Sequence, residues 1–148
     1  MAKSESRIKG KYGLLLVVAV IAIIIIFGWY FLTRPRSEVT LSISPWPVHI
    51  SGEYTYTWNV ANRESQTIII QSMTVSEYIN GYFYDKATDA WDASRYPGIK
   101  TDRVLPGETS TVYSDTFHQD NIGIIKLELT LHTNIGDLKT TNTYTVLP

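Results

Sequence analysis

Between Gly13 and Leu32 the chain reads GLLLVVAVIAIIIIFGWYFL, a stretch without a single charge. A helix over twenty such residues rises about 30 Å, the thickness of a bilayer's hydrocarbon core. The β-branched run IAIIII suits a helix in water poorly, but in lipid every backbone polar group must be satisfied within the segment, and that requirement dominates. Trp29 and Tyr30 stand where amphipathic rings settle at the headgroup level. Upstream come Lys3, Arg7, Lys9 and Lys11 against Glu5; downstream come Arg34 and Arg36. The richer basic flank is expected on the cytoplasmic side. The tract therefore predicts a transmembrane helix over 13–32, a cytoplasmic basic tail over 1–12, a linker over 33–37 and an extracytoplasmic domain over 38–148. Lys9, Lys11, Trp29, Tyr30, Arg34 and Arg36 are its expected membrane-interface residues, and the lipid bilayer is a partner. A cleaved signal peptide has a shorter apolar core and small residues at its cleavage site. Here large aromatics and TRPR follow the tract, which favours an anchor.

Beyond the tract the apolar pattern changes period. EVTLSIS places Val39, Leu41 and Ile43 on one face, and EYTYTWNV does the same with Tyr54, Tyr56, Trp58 and Val60. GIIKLELTLHT aligns Ile125, Leu127, Leu129 and Leu131. QTIIIQSMTV, STVYSDTF and DLKTTNTYTVL supply further strands. PWP at Pro45 to Pro47 forbids a regular central strand, so the first strand is expected to break and switch edge there. Turn chemistry separates the runs at Asn62 to Ser65, Asn80-Gly81, Pro106-Gly107, Asn121 to Gly123 and Asn134 to Asp137. Six to eight strands with short connections in one domain predict an all-β fold: an immunoglobulin-like antiparallel β-sandwich preceded by one N-terminal transmembrane α-helix. The segment from Asp85 to Arg103 is too polar for core and too long for a tight turn, so it is expected to be an ordered loop.

The residue inventory narrows the chemistry. No cysteine is present, which excludes disulfides, thiolate nucleophiles and iron–sulfur clusters. His49, His118 and His132 lie on three separate elements without a metal-binding spacing, and neither a Gly-x-Ser-x-Gly elbow nor a Walker-type loop occurs. Asp85, Asp89 and Asp92 lack the i, i+2, i+4 spacing and bend glycine of a calcium loop. These features predict no cofactor, no metal and no enzyme. From Ser37 onward thirteen acidic residues face seven basic ones, a balance that repels phosphate backbones and predicts no nucleic-acid partner.

The aromatics point elsewhere. The chain holds 10 Tyr and 4 Trp, more than a core of this size needs. In YINGYFYD, Tyr78, Tyr82 and Tyr84 share one parity while Ile79 and Phe83 take the other. A strand apolar on both faces suits an edge that docks a partner. Trp91 and Tyr96 in the following segment extend that surface, so Tyr78, Tyr82, Tyr84, Trp91 and Tyr96 are the expected partner-binding residues.

YTWNVANRESQTIII followed by VLPGETSTVYSDTF and a closing hairpin resembles the adhesion-type immunoglobulin-like modules of archaea and bacteria. With the apolar tract added, the chain is similar to archaeal single-span anchored proteins such as archaellum accessory proteins. That resemblance implies a sandwich outside the membrane that contacts the surface layer. The expected function is thus a membrane-anchored, non-enzymatic protein whose sandwich binds an extracellular or membrane protein of surface-layer or appendage type. Two alternatives stand beside it: an accessory subunit of a larger respiratory or transport assembly, and a pilin-like filament subunit. The pilin reading needs leader cleavage after Gly10 or Gly13, where the flanking residues suit it poorly.

Overall fold

Alternating apolar side chains build two sheets in the computed structural model. It describes the backbone of residues 3–33 and 36–148 and, inside the helix, the side chains of 16–30 and 32. The chain divides into two units, residues 1–35 and 36–148.

The first unit is a helix, α1, Lys3–Thr33. From Leu16 to Tyr30 its large apolar side chains are exposed on every side. Among the described residues no helix is long and apolar enough to cross a membrane. The expectation of a transmembrane helix over 13–32 is corrected accordingly. Trp29, Tyr30 and Arg36 are exposed; the side chains of Lys9 and Lys11, and all of Arg34, lie outside the described residues.

The second unit is mostly β and forms an immunoglobulin-like sandwich. Its smaller sheet has the order β1-β3-β7, from Glu38–Ser44, Glu53–Ala61 and Thr109–His118. The larger runs β2-β9-β8-β4-β5, from Val48–His49, Gly136–Leu147, Gly123–Thr133, Ile68–Ile79 and Tyr82–Ala90, with the short β6, Arg103–Val104, beside β4. The inward parity of β3 and β8 is the one the sequence predicts. Tyr54, Trp58 and Val60 are buried from one side, and Ile125, Leu127, Leu129 and Leu131 from the other. Period-two alternation places such a row on one face without help from distant residues.

Pro45 to Pro47 end β1, and the chain crosses to the other sheet, where β2 pairs with β9 in parallel. The sequence predicts only antiparallel pairs. The proline break frees the chain from its sheet, and Val48 then lands beside Val146 at the C-terminus. Tyr54 staples this crossing, its hydroxyl bonded to the backbone N–H and carbonyl of His49.

Asn142 closes the β1–β9 side by donating its amide to the Leu41 carbonyl (2.7 Å). On the other side, residues 91–102 pack along β7: Lys100 N–H donates to the Val112 carbonyl (2.9 Å) and Ser114 N–H to the Gly98 carbonyl (2.8 Å). Gly98 permits this approach, because a Cβ there would meet the Tyr113 ring at 2.8 Å and the Asp115 Cβ at 2.9 Å. The expected loop over 85–103 is therefore shorter than predicted. Its first part is strand, because β4 is long enough to pair β5 as far as Ala90 opposite Ser72.

Candidate functional site

The β4–β5 hairpin turns on Asn80 and Gly81, with φ of 51° and 84°. Two successive positive φ values make the tight turn whose twist matches the flanking strands, and Asn-Gly tolerates them best. Asn80 also ties the turn to β8: its N–H donates to the Ile124 carbonyl (2.8 Å), and its Oδ1 accepts from the Ile124 N–H (2.9 Å).

Past the turn stand Tyr82, Phe83 and Tyr84, exposed at 80%, 61% and 60%. Every residue of β5 except Asp89 is exposed, so this strand overhangs the sandwich and adds little to its core. Ile122 and Ile124, beside the turn, are exposed as well. The result is an aromatic and aliphatic surface at one end of the larger sheet, on a strand whose outer edge is unpaired among the described residues.

Tyr78 meets Phe83 edge-on at 5.8 Å and lies under the Lys126 ammonium at 4.8 Å. Its hydroxyl donates to Glu128 (3.3 Å), which also bonds Lys126 (2.6 Å). That bond raises the Lys126 pKa and lowers that of Glu128. Tyr78, Tyr82 and Tyr84 thus belong to one hairpin.

Trp91 and Tyr96 are placed differently. Trp91 packs partly buried against Trp58 and Tyr113, at 6.2 and 6.4 Å between ring centroids, and donates its indole N–H to the Thr101 carbonyl (3.1 Å). Tyr96 is half-buried against the core, with the Arg95 guanidinium 5.6 Å from its ring. A hydrogen bond to Asp89 raises its pKa. Asp89 pairs with Arg95 (2.9 Å), while Asp92 accepts from the Ser94 N–H and hydroxyl, bonds that lower its pKa. Among the described residues no group of three or more acids and histidines is placed to hold a metal ion.

One constellation has no sequence signal. His132 on β8 bonds Asp137 through Nδ1 (2.8 Å) and Thr74 through Nε2 (3.0 Å), and Thr74 also meets Thr88 (3.1 Å). These residues come from four strands brought together only by sheet register. The string has the order of a hydroxyl–imidazole–carboxylate relay, but it lies on the solvent-facing side of the sheet, as a row of cross-strand pairs. His49 bonds the Pro148 carbonyl (3.2 Å), and His118 ends β7.

No protein-family model matches the chain, and no curated protein matches its sequence. Among solved structures it is similar to the sporulation control protein Spo0M of Bacillus subtilis, at 14% identity and a TM-score of 0.47, over 77% of this chain and 50% of that one. The chain thus spans about half the length of Spo0M. It is also similar to a superoxide reductase (neelaredoxin) from Ignicoccus hospitalis, at 12% identity and a TM-score of 0.46, over 79% and 85% of the two chains. A third is the CARDB domain of a Pyrococcus furiosus protein, solved with di-metal ions, at 18% identity and a TM-score of 0.39, over 76% and 94%. The CARDB domain among them is a small β-sandwich fold. The expectation that this chain is not an enzyme is withdrawn, since a fold by itself establishes neither the presence nor the absence of an activity.

Proposed function

We propose that residues 36–148 form a protein-binding module whose contact surface is the aromatic end of the β4–β5 hairpin. The observation that carries this reading is the run Tyr82, Phe83, Tyr84, exposed on an overhanging edge strand. Aromatic side chains offer large contact area with few rotors to freeze, so they dominate interfaces wherever they are free to meet a partner. The unpaired edge adds backbone donors and acceptors for a strand of the partner. The partner class is an extracellular or membrane protein, of the surface-layer or appendage type that the sequence resemblance implies, and the sandwich lies outside the cytoplasm.

A second reading, a subunit of a larger assembly, is favoured by α1. A helix whose described side chains are apolar on all sides is covered by other chains where it works. Both readings use the hairpin as a contact. The test is capture from mild-detergent extracts with the full chain and with a Tyr82→Ala, Phe83→Ala, Tyr84→Ala variant. A specific co-eluting protein lost in the variant, with the fold unchanged by circular dichroism, supports the proposal. A partner retained by the variant overturns it.

A further inference from the structure

Beyond the part of β7 that residues 91–102 cover, a cavity of about 310 Å³ opens between the two sheets. Leu41, Tyr56, Phe117, Leu127 and Leu129 wall it, an apolar and aromatic lining of the size that takes a small organic ligand. Its polar groups are what mark it out. Glu77 lines the cavity from β4, on the same parity as the core residues Met73 and Val75. A carboxylate in that row faces the opposite sheet, where an apolar side chain is the rule. Directly across in register is a second carboxylate, Asp85. Burial and Asp85 together hold the Glu77 pKa above its usual value. Among the described residues no lysine or arginine lines the cavity. Tyr56 and Tyr144 share a hydroxyl–hydroxyl bond of 2.6 Å, so Tyr56 is already engaged with a protein group.

Gln119 completes the site. It lines the cavity, is 5% exposed, and its buried Nε2 has no hydrogen-bond partner among the described residues. A primary amide can donate two hydrogen bonds, and leaving a buried one unmade is unfavourable unless something arrives to accept it. The cavity thus brings together an inward carboxylate and a glutamine with an unused donor. An anion is opposed by Glu77, and a purely apolar guest leaves both polar groups unmatched.

We propose that this inter-sheet cavity binds a small organic cation that also carries a hydrogen-bond acceptor, its ammonium at Glu77 and its acceptor at Gln119 Nε2. The site is separate from the hairpin surface and does not rest on the partner-binding reading.

The test uses the full chain, isotope-labelled, with mild detergent covering its exposed apolar helix. L-phenylalaninamide is the probe: it carries an ammonium, a carbonyl acceptor and an apolar ring. 3-Phenylpropanamide, which lacks only the amine, is its neutral counterpart. The expected result is a saturable shift of the Gln119 side-chain amide resonance by phenylalaninamide, with binding about tenfold weaker for the neutral amide. Glu77→Gln and Gln119→Leu are each expected to weaken phenylalaninamide by a similar factor, with far-ultraviolet circular dichroism unchanged. Equal binding of the two probes, or a Gln119 resonance unmoved at millimolar phenylalaninamide, overturns the proposal. Because that comparison is made on the unaltered protein, it decides even where a variant fails to fold.

Discussion

Asn62 is fully buried and has every polar atom engaged. Its amide donates to the carbonyls of Gln66 (2.9 Å) and Val104 (2.8 Å), and its Oδ1 accepts from the Glu64 N–H (2.9 Å). One side chain thus ties the β3–β4 turn to β6. Asn62→Ala leaves those backbone groups unpaired and is expected to cost about 2–4 kcal/mol, read from the denaturant midpoint at constant slope. Glu77 illustrates the opposite balance. Its pKa in the folded chain lies above the ordinary value, chiefly through burial and then through Asp85. Folding therefore takes up a proton between the unfolded and folded pKa values, and stability falls as pH rises through that window. Glu77→Gln is expected to raise the melting temperature at pH 7. The gain should fade as pH drops below about 4.3, where the glutamate is neutral in both states. A variant that melts lower at pH 7 would show that the carboxylate is stabilising. A residue that lowers stability where it stands is consistent with a binding role, since sites retain groups that a core optimised for packing would exclude.

At the scale of elements, the β4–β5 hairpin and the 91–102 segment separate two kinds of aromatic. Tyr82, Phe83 and Tyr84 make little burial, so replacing each by Ala is expected to change stability by no more than about 0.5 kcal/mol. Trp91 packs on Trp58 and Tyr113 and holds the Thr101 carbonyl. Trp91→Ala is expected to cost about 2–4 kcal/mol, since it opens a void and strands an acceptor. Chemical denaturation of the four single variants checks both halves of the claim. Comparable losses at all four positions would mean that the hairpin aromatics also support the core. The 91–102 segment depends in turn on Gly98, where any side chain would collide with Tyr113 and Asp115. Gly98→Ala should loosen the segment, seen as faster amide exchange at Lys100 and Ser114, whose N–H groups bond across to Val112 and Gly98.

At the scale of the whole molecule, residues 36–148 have their own core, joined across the sheets at β1 and β9 by Asn142. A fragment of these residues is expected to melt cooperatively and to run as a monomer in gel filtration. Aggregation or disorder of the fragment would show that the overhanging β5 edge needs a strand lent by a partner. The acidic excess of this unit, thirteen acids against seven bases from Ser37 onward, favours solubility of the isolated domain. The helix stands apart in chemistry, since its described side chains are apolar all round and bury no stripe of their own.

Much of the sandwich was legible in the chain. The rows of β3 and β8, the break at Pro45 to Pro47 and the Asn80-Gly81 turn follow from period-two alternation, proline's missing N–H and glycine's access to positive φ. All three are local properties, recorded within a few residues. What they do not record is which strand ends a sheet. YFY reads as an apolar strand whether it is covered or not; it is exposed because, among the described residues, β5 pairs with β4 alone. In the same way Trp91 and Tyr96 look like surface aromatics in a polar segment until that segment folds back along β7. Twenty uncharged residues suggest a span, yet the described helix does not supply one. Glu77 and Gln119 lie 42 positions apart in the chain. That both line one cavity between two sheets is decided by tertiary structure, because contact across a sandwich depends on the register of whole strands and not on any short run of sequence.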